Sequence, residues 1–410
     1  MTMKVRTLLT LTITLVTMGL SGCGHYTCGA TFGNSTCTPS GGGLGGGGGN
    51  TSGNAAYVYY VGIGLVGGLQ LDSSQTLTAI PNFVSPTFPL NYTASGATVA
   101  GKKFVYVPSV ATSELFAWSI SSTGGLTAVG GSPFSAPWAA GMATGVEPLK
   151  SSIIASPDGT LLFVADAMDN EILVFTIDSA GVLTPVAGSP FTTAGLLQPW
   201  NLATDGLGHF LYVTEGNVDG EGVAMAVFTI NAGVLSGGTL LPSNMNMWQV
   251  QGDPSGKFMI GTKGETGNHP SHLLDAALHV FNIDPASGVL TETATSPVPT
   301  PNGPTGVLIH PNGKLVYDFN VSNVTNFDGP ADGFQLDPTT GALTPLATSP
   351  FTNLSLQYGG YFDQSGKYIF VHSHGHIGVW TVDATTGDLT ELPTGVNGVG
   401  DRPWTVTDPH

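Results

Sequence analysis

The stretch that decides the fold is residues 156–191, SPDGTLLFVADAMDNEILVFTIDSAGVLTPVAGSPF. A tight turn at Pro157-Asp158-Gly159 opens it, then come an apolar strand (LLFVAD), a polar loop, a second strand (ILVFTI), a glycine turn and a third strand (LTPVAGSPF). Asp-Gly between β-rich runs marks a hairpin, because the turn needs positive φ, where glycine costs least. The unit recurs. Seven copies of its first strand appear: AYVYYV from Ala56, FVYVPS from Phe104, LLFVAD from Leu161, FLYVTE from Phe210, FMIGTK from Phe258, LVYDFN from Leu315 and YIFVHS from Tyr368. The next strand repeats with them, as LFAWSI from Leu115, MAVFTI from Met225, LHVFNI from Leu278 and IGVWTV from Ile377. The last strand usually begins Leu-Thr, at Leu126, Leu183, Leu290, Leu343 and Leu389. A repeat of roughly 50 residues suits a four-stranded propeller blade rather than a solenoid turn. The expected fold is all-β, a seven-bladed propeller of four-stranded antiparallel blades over residues 56–410.

The chain ends show how the ring closes. An innermost strand precedes each hairpin, as in PWNLATDG from Pro199, yet nothing comparable precedes Ala56. The missing piece stands at the other end, where Arg402-Pro403-Trp404-Thr405-Val406-Thr407-Asp408 repeats the Pro199-Trp200 pattern. The C-terminal strand is therefore expected to complete blade one, leaving only short protected edges.

Residues 1–22 carry Lys4 and Arg6 and then a modest apolar run from Leu8 to Leu20, too short for a stable membrane span, so they are read as a signal peptide. The segment ends Leu20-Ser21-Gly22-Cys23, which resembles the lipobox of bacterial lipoproteins, and that resemblance implies acylation of Cys23. Cys28 and Cys37 then remain as an expected disulfide in an exported chain. Thr38 to Asn54 is almost wholly Gly and Ser, unable to bury a core. Residues 23–55 thus read as a lipidated cysteine and a flexible tether, with the protein exported and anchored to a bacterial membrane, in the periplasm or on the outer surface.

Charge is scarce and lopsided. The formal net charge is −17, with 10 Lys and Arg against 27 Asp and Glu, and removing Lys4 and Arg6 with the signal makes it −19. That balance argues against nucleic acid and against anionic substrates, since Arg402 is the one arginine left to clamp a phosphate or carboxylate. A monomer is expected, with a small molecule or an envelope protein as partner.

The hairpin phrases Ser156-Pro157-Asp158-Gly159, Asp253-Pro254-Ser255-Gly256-Lys257, His310-Pro311-Asn312-Gly313-Lys314 and Asp363-Gln364-Ser365-Gly366-Lys367, each before an apolar strand, resemble the seven-bladed propeller lactonases. That family includes bacterial 6-phosphogluconolactonase-like enzymes and a fungal carboxymuconate cyclase. The resemblance implies a Pro-Arg-His or Pro-His phrase on an inner strand and an acid just after the following strand. Here Pro199-Trp200-Asn201 stands in that place, Ser151 takes the His position of blade three, Pro304-Thr305-Gly306 carries neither basic residue, and Glu215 approximates the acid. The cationic half of the set is absent from these positions.

Histidines and acids gather in the second-to-third strand loops: Glu215, Asp219 and Glu221 in blade four; Glu265, His269, His272 and Asp275 in blade five; Asp318 and Asp328 in blade six; His372, His374 and His376 in blade seven. Glu215 is the candidate general base. Ligand-binding candidates are His269, His272, Asp318, His372, His374 and Trp200. On one extended strand His372, His374 and His376 would share a side, although alternate residues about 6.6 Å apart need a bend at Gly375 to meet one metal. Surface histidines at a strand end are the plainer reading, and no cofactor is expected beyond a possible divalent metal. Trp138, Trp200, Trp248 and Trp404 sit at or near inner strands, where packing between blades is expected ahead of a sugar-stacking role. Two functions stand: a lipid-anchored propeller that binds a ligand or partner in the cell envelope, and a hydrolase or cycloisomerase acting on a neutral lactone.

Overall fold

The computed structural model describes residues 56–62, 65–87, 97–109, 113–136, 153–167, 169–215, 224–242, 247–263, 276–300, 304–320, 330–352, 360–373, 376–397, 399 and 404–407. The chain divides into two units, Met1–Asn50 and Thr51–His410. The signal, Cys23, Cys28, Cys37 and the glycine-rich segment lie outside the described residues. Among the described residues there is no helix, and hence none long and apolar enough to cross a membrane.

The described residues form seven antiparallel four-stranded meanders in chain order. In blade four, for example, the innermost strand Pro199–Thr204 is followed outward by Phe210–Glu215, Met225–Asn231 and Val234–Leu240. Blade one departs from chain order as expected. Its inner strand is Trp404–Thr407, paired with Ala56–Gly62 in the register Tyr57 to Thr407, Val58 to Val406, Tyr59 to Thr405 and Tyr60 to Trp404. One expectation is corrected in detail. The outermost strand read over LTPVAGSPF is two pieces, Leu183–Pro185 and Phe191–Thr192, which pair with opposite ends of the same third strand. Blades two and five break in the same way, at Phe134–Ser135 and Val298–Pro299. A serine marks each return. Ser132, Ser189, Ser296 and Ser349 accept through Oγ the backbone N–H of Ala117, Val174, Val280 and Gly333.

Why the second strands are apolar throughout follows from the ring. Successive side chains point to opposite faces of a sheet, and here each face meets another blade. Phe163 and Ala165 of blade three pack with Leu211 and Val213 of blade four, whereas Leu162 and Val164 pack with Tyr106 and Ala117 of blade two. Seven such shared clusters carry the core round the circle. The last joins Tyr368, Phe370 and Ile377 of blade seven to Val58, Leu69 and Val406 of blade one. A fully buried Phe or Leu is worth about 1.5–3 kcal/mol, so these clusters outweigh any single hydrogen bond between blades.

One bond nevertheless repeats. Tyr59, Tyr106, Tyr212 and Tyr317 donate their hydroxyls to the carbonyls of Gly124, Gly181, Gly288 and Gly387 in the third-to-outer turn of the next blade, at 2.7–2.8 Å. Burial pushes all four phenols far above their ordinary value, which keeps them protonated as donors. Gly288 has no substitute: its φ is +72°, and a Cβ there would lie 2.5 Å from the Phe210 ring. The turns at this end hold many of the acids. Asp205 and Asp253 are buried and accept the amides of His209 with Phe210 and of Lys257 with Phe258. Asp284, Asp337 and Asp383 accept amides of their own turns, which hold their carboxyls below the usual range. Much of the negative charge is thus turn chemistry.

Candidate functional site

Strand direction places the long connections together. Inner strands begin where second strands end, as the pairs Pro199 with Glu215 and Gln249 with Thr262 show, so the second-to-third loops and the blade-to-blade connections share one end of the ring. The opposite end carries the short turns. The lysines divide unequally between the two. Lys102, Lys103, Lys257, Lys314 and Lys367 all lie in inner-to-second turns at the short-turn end. Among the described residues, Lys263 is the only Lys or Arg at the loop end, and its charge acts on Glu292.

Blade four builds the most defined feature of the loop end. Its inner strand carries a bulge, with the register shifting between Pro199 and Asn201 so that Trp200 is the extra residue. A bulge re-aims a side chain. Trp200 meets Trp248 of blade five, ring centroids 5.9 Å apart and planes inclined at 45°, and both residues are half-buried. Trp248 is fixed by its own backbone: its N–H donates to Thr262 O at 2.7 Å and its carbonyl accepts the Thr214 hydroxyl at 3.4 Å. The Nε1 of Trp200 is buried and has no hydrogen-bond partner. Asn201 is 2 % exposed and belongs to the strand pairing with Thr214.

The chain leading into the bulge is tightly held. Gln198 donates its N–H to Asn170 Oδ1 at 2.6 Å, and both residues have left-handed backbone, φ +51° and +57°. Such non-glycine conformations cost about 1–3 kcal/mol each and persist where the surroundings fix them. Glu215 supplies part of that fixing. Its Oε1 accepts Leu197 N–H at 3.1 Å, its Oε2 accepts Ala224 N–H at 3.2 Å, and its own N–H donates to Ala224 O at 2.8 Å. The candidate base is therefore first a brace, binding the loop base of blade four to the incoming connection.

The other candidates separate. Asp318, expected in a loop, is instead inside the second strand of blade six and fully buried, with Oδ1 accepting Asp332 N–H at 2.8 Å and its N–H donating to Asp332 O at 2.9 Å. It joins strands rather than lining a loop. The run from His372 to His376 is not one extended strand. Tyr368–Ser373 ends and His376–Val382 begins within it, with Ser373 paired to His376 across a hairpin. His376 Nδ1 is 2.9 Å from Asn397 Oδ1. The side chain of His372, and residues His374, His269, His272, Asp219, Glu221, Glu265, Asp275, Asp328 and Ser151, lie outside the described residues. Among the described residues no group of three His, Cys, Asp or Glu is arranged to hold a metal ion. Sequence reasoning missed two inter-blade acceptors. Gln249 and Gln251 of blade five receive through Oε1 the N–H groups of Val307 and Ile309 in blade six, at 3.2 and 3.1 Å. Their alternation along QVQG was the signal.

Seven four-stranded blades whose inner strand in blade one comes from the C-terminus define a seven-bladed β-propeller. The chain is homologous to 6-phosphogluconolactonase: it is 25% identical over 354 residues to that protein of Erwinia tasmaniensis, across 74% of this chain and 98% of the relative. Solved structures of the same fold include a Bacteroides fragilis protein assigned to 6-phosphogluconolactonase, with a TM-score of 0.60 at 16% identity over 88% of this chain and 99% of that one. The periplasmic gluconolactonase of Pseudomonas aeruginosa matches with a TM-score of 0.60 at 14% identity, over 87% of this chain and all of its own. No family model matches the chain.

Proposed function

We propose that this chain is an exported, lipid-anchored lactonase-like propeller that binds an uncharged lactone or related cyclic ligand at the loop end, between blades four and five, without phosphogluconolactone turnover. The observation that carries the reading is the replacement at the bulge: Trp200 and Asn201 stand where the resemblance places Arg and His, and Glu215 has both oxygens on backbone amides. Lactone opening needs a base to activate water and donors for the developing oxyanion. A phosphorylated substrate needs cations as well, and the described residues place one lysine at that end. Anchoring rests on Leu20-Ser21-Gly22-Cys23. Cys23→Ser is expected to move the protein from the membrane fraction to the soluble one.

A second reading, hydrolysis of a neutral lactone, is favoured by homology that extends over nearly the whole of a 6-phosphogluconolactonase. Titration of acid released from a panel of neutral lactones by the purified full chain separates the two. Binding with no release above the blank is expected. Release that drops at least a hundredfold in Glu215→Gln would establish the hydrolase and make Glu215 its base.

A further inference from the structure

We propose, building on the neutral-ligand reading above, that Gln249 and Gln251 form a hydrogen-bond donor site on the wall of the central channel, holding the carbonyl and hydroxyl oxygens of an uncharged sugar lactone through their Nε2 groups.

The strand pairing places the two side chains. The inner strand of blade six, Pro304–Ile309, pairs along one edge with Leu315–Asn320, and its other edge borders the channel round which the blades are set. Backbone N–H groups two residues apart leave a strand on the same edge. Val307 and Ile309 are two apart, and their N–H groups donate to Gln249 Oε1 at 3.2 Å and Gln251 Oε1 at 3.1 Å rather than to a strand. Both glutamine side chains therefore reach across the channel wall from blade five to the free edge of blade six.

Solvent enters that channel. An inner strand is covered outward by its second strand and on both faces by the neighbouring blades, which leaves the axis as its open side. Val99, Ile154, Gln251 and Tyr361, all inside inner strands of different blades, nevertheless keep part of their surface accessible. Gln249 and Gln251 are both half-buried, while Val250 between them is buried.

The amide chemistry fixes which atoms face the ligand. A backbone N–H can only donate, so Val307 and Ile309 hold the Oε1 of each carboxamide and turn its NH2 group the other way. Neither Nε2 has a hydrogen-bond partner among the described residues, and neither is among the polar atoms shut away from solvent without one. Two oriented donors, about 6.6 Å apart along the strand, are thus open to an incoming oxygen. Their order is set before the ligand arrives, so little freedom is lost on binding. Charge selects the ligand class: carboxamides donate without carrying charge, and Lys263, the one lysine described at the loop end, already acts on Glu292.

Isothermal titration calorimetry of the purified full chain with D-galactono-1,4-lactone and D-glucono-1,5-lactone at pH 7.5 tests the site. Gln249→Glu and Gln251→Glu each keep an oxygen for the blade-six amide and replace the donor by an acceptor, and each is expected to weaken binding about tenfold. Their urea unfolding midpoints are expected to match that of the natural chain, which separates lost binding from lost packing. Should a Glu variant fail to fold, Gln249→Met and Gln251→Met remove the donor at similar length without adding charge and are expected to weaken binding about fivefold. Natural affinity in a folded variant at either position overturns the donor site while leaving the neutral-ligand reading standing. No heat with either lactone from the natural chain overturns both.

Discussion

At the scale of single residues the fold depends on pairs that the repeat brings together. Tyr212 and Gly288 are one such pair, and their two contributions differ in kind. Removing the Tyr212 hydroxyl leaves the Gly288 carbonyl without its donor and costs about 1–2 kcal/mol. Adding a methyl at Gly288 meets a left-handed φ of +72° and a Phe210 ring atom at 2.5 Å, which together cost about 2–5 kcal/mol. Urea unfolding should therefore rank Gly288→Ala below Tyr212→Phe by about 2 kcal/mol, and an equal or reversed order would show that the turn relaxes freely. The Tyr at the third position of three second strands, and at the fourth of Ala56–Gly62, was visible in the sequence. Its partner some seventy residues on was not, because the bond crosses from one blade to the next and no local pattern reports it.

His310 makes a second residue-scale prediction. It is 2 % exposed, its Nε2 donates to Gly366 O at 2.9 Å, and its Nδ1 accepts Asn312 N–H at 3.0 Å, so the folded ring is neutral. Burial lowers its pKa below the ordinary histidine value, against the opposing pull of its hydrogen bonds and of Asp363. The unfolded chain then takes up a proton at a pH where the folded chain does not, so stability falls as pH drops from above the ordinary value of about 6.5. Comparing unfolding midpoints at pH 7.5 and 5.5, the loss should be smaller in His310→Asn than in the natural chain. An identical loss would assign it to the other histidines.

Among elements, the strand that matters most is the last. Trp404–Thr407 supplies the inner edge of blade one, and Leu77 N–H donates to Thr394 Oγ1 at 2.8 Å where blade seven's outer strand meets that of blade one. Deleting the final eight residues exposes the edge of Ala56–Gly62 and removes Val406 from the cluster shared by blades seven and one. The truncated chain should lose at least 10 °C in thermal midpoint, roughly the effect of several kcal/mol in a domain of this size. A midpoint equal to that of the full chain would mean the ring closes without this strand. The closure was legible because Pro403-Trp404 repeats Pro199-Trp200. The broken outer strands were not, since LTPVAGSPF and its relatives keep strand-like composition across a turn. The histidine run misled for a similar reason: period-two spacing suggested one strand, and the hairpin between Ser373 and His376 divides it.

Across the whole molecule, function follows from the contrast between the two ends. One end is closed by short turns whose carboxylates accept backbone amides and whose lysines stand beside them. The other gathers the long connections and the bulged tryptophan and, among the described residues, one lysine. The sequence placed its histidines and acids in loops between second and third strands, but Glu215, Asp318, His372 and His376 lie in strands and the others outside the described residues; the tryptophan pair needed coordinates, because Trp200 and Trp248 come from different blades. Asp318 looked like a loop acid and is a buried link between strands, which composition alone does not distinguish. The most direct test of a cation-poor, neutral-ligand loop end is calorimetric affinity for D-glucono-1,5-lactone beside that for 6-phospho-D-gluconate, both at low ionic strength. The account predicts measurable lactone binding and at least tenfold weaker binding of the phosphorylated acid. Tighter binding of 6-phospho-D-gluconate, weakening as salt is raised, would contradict it.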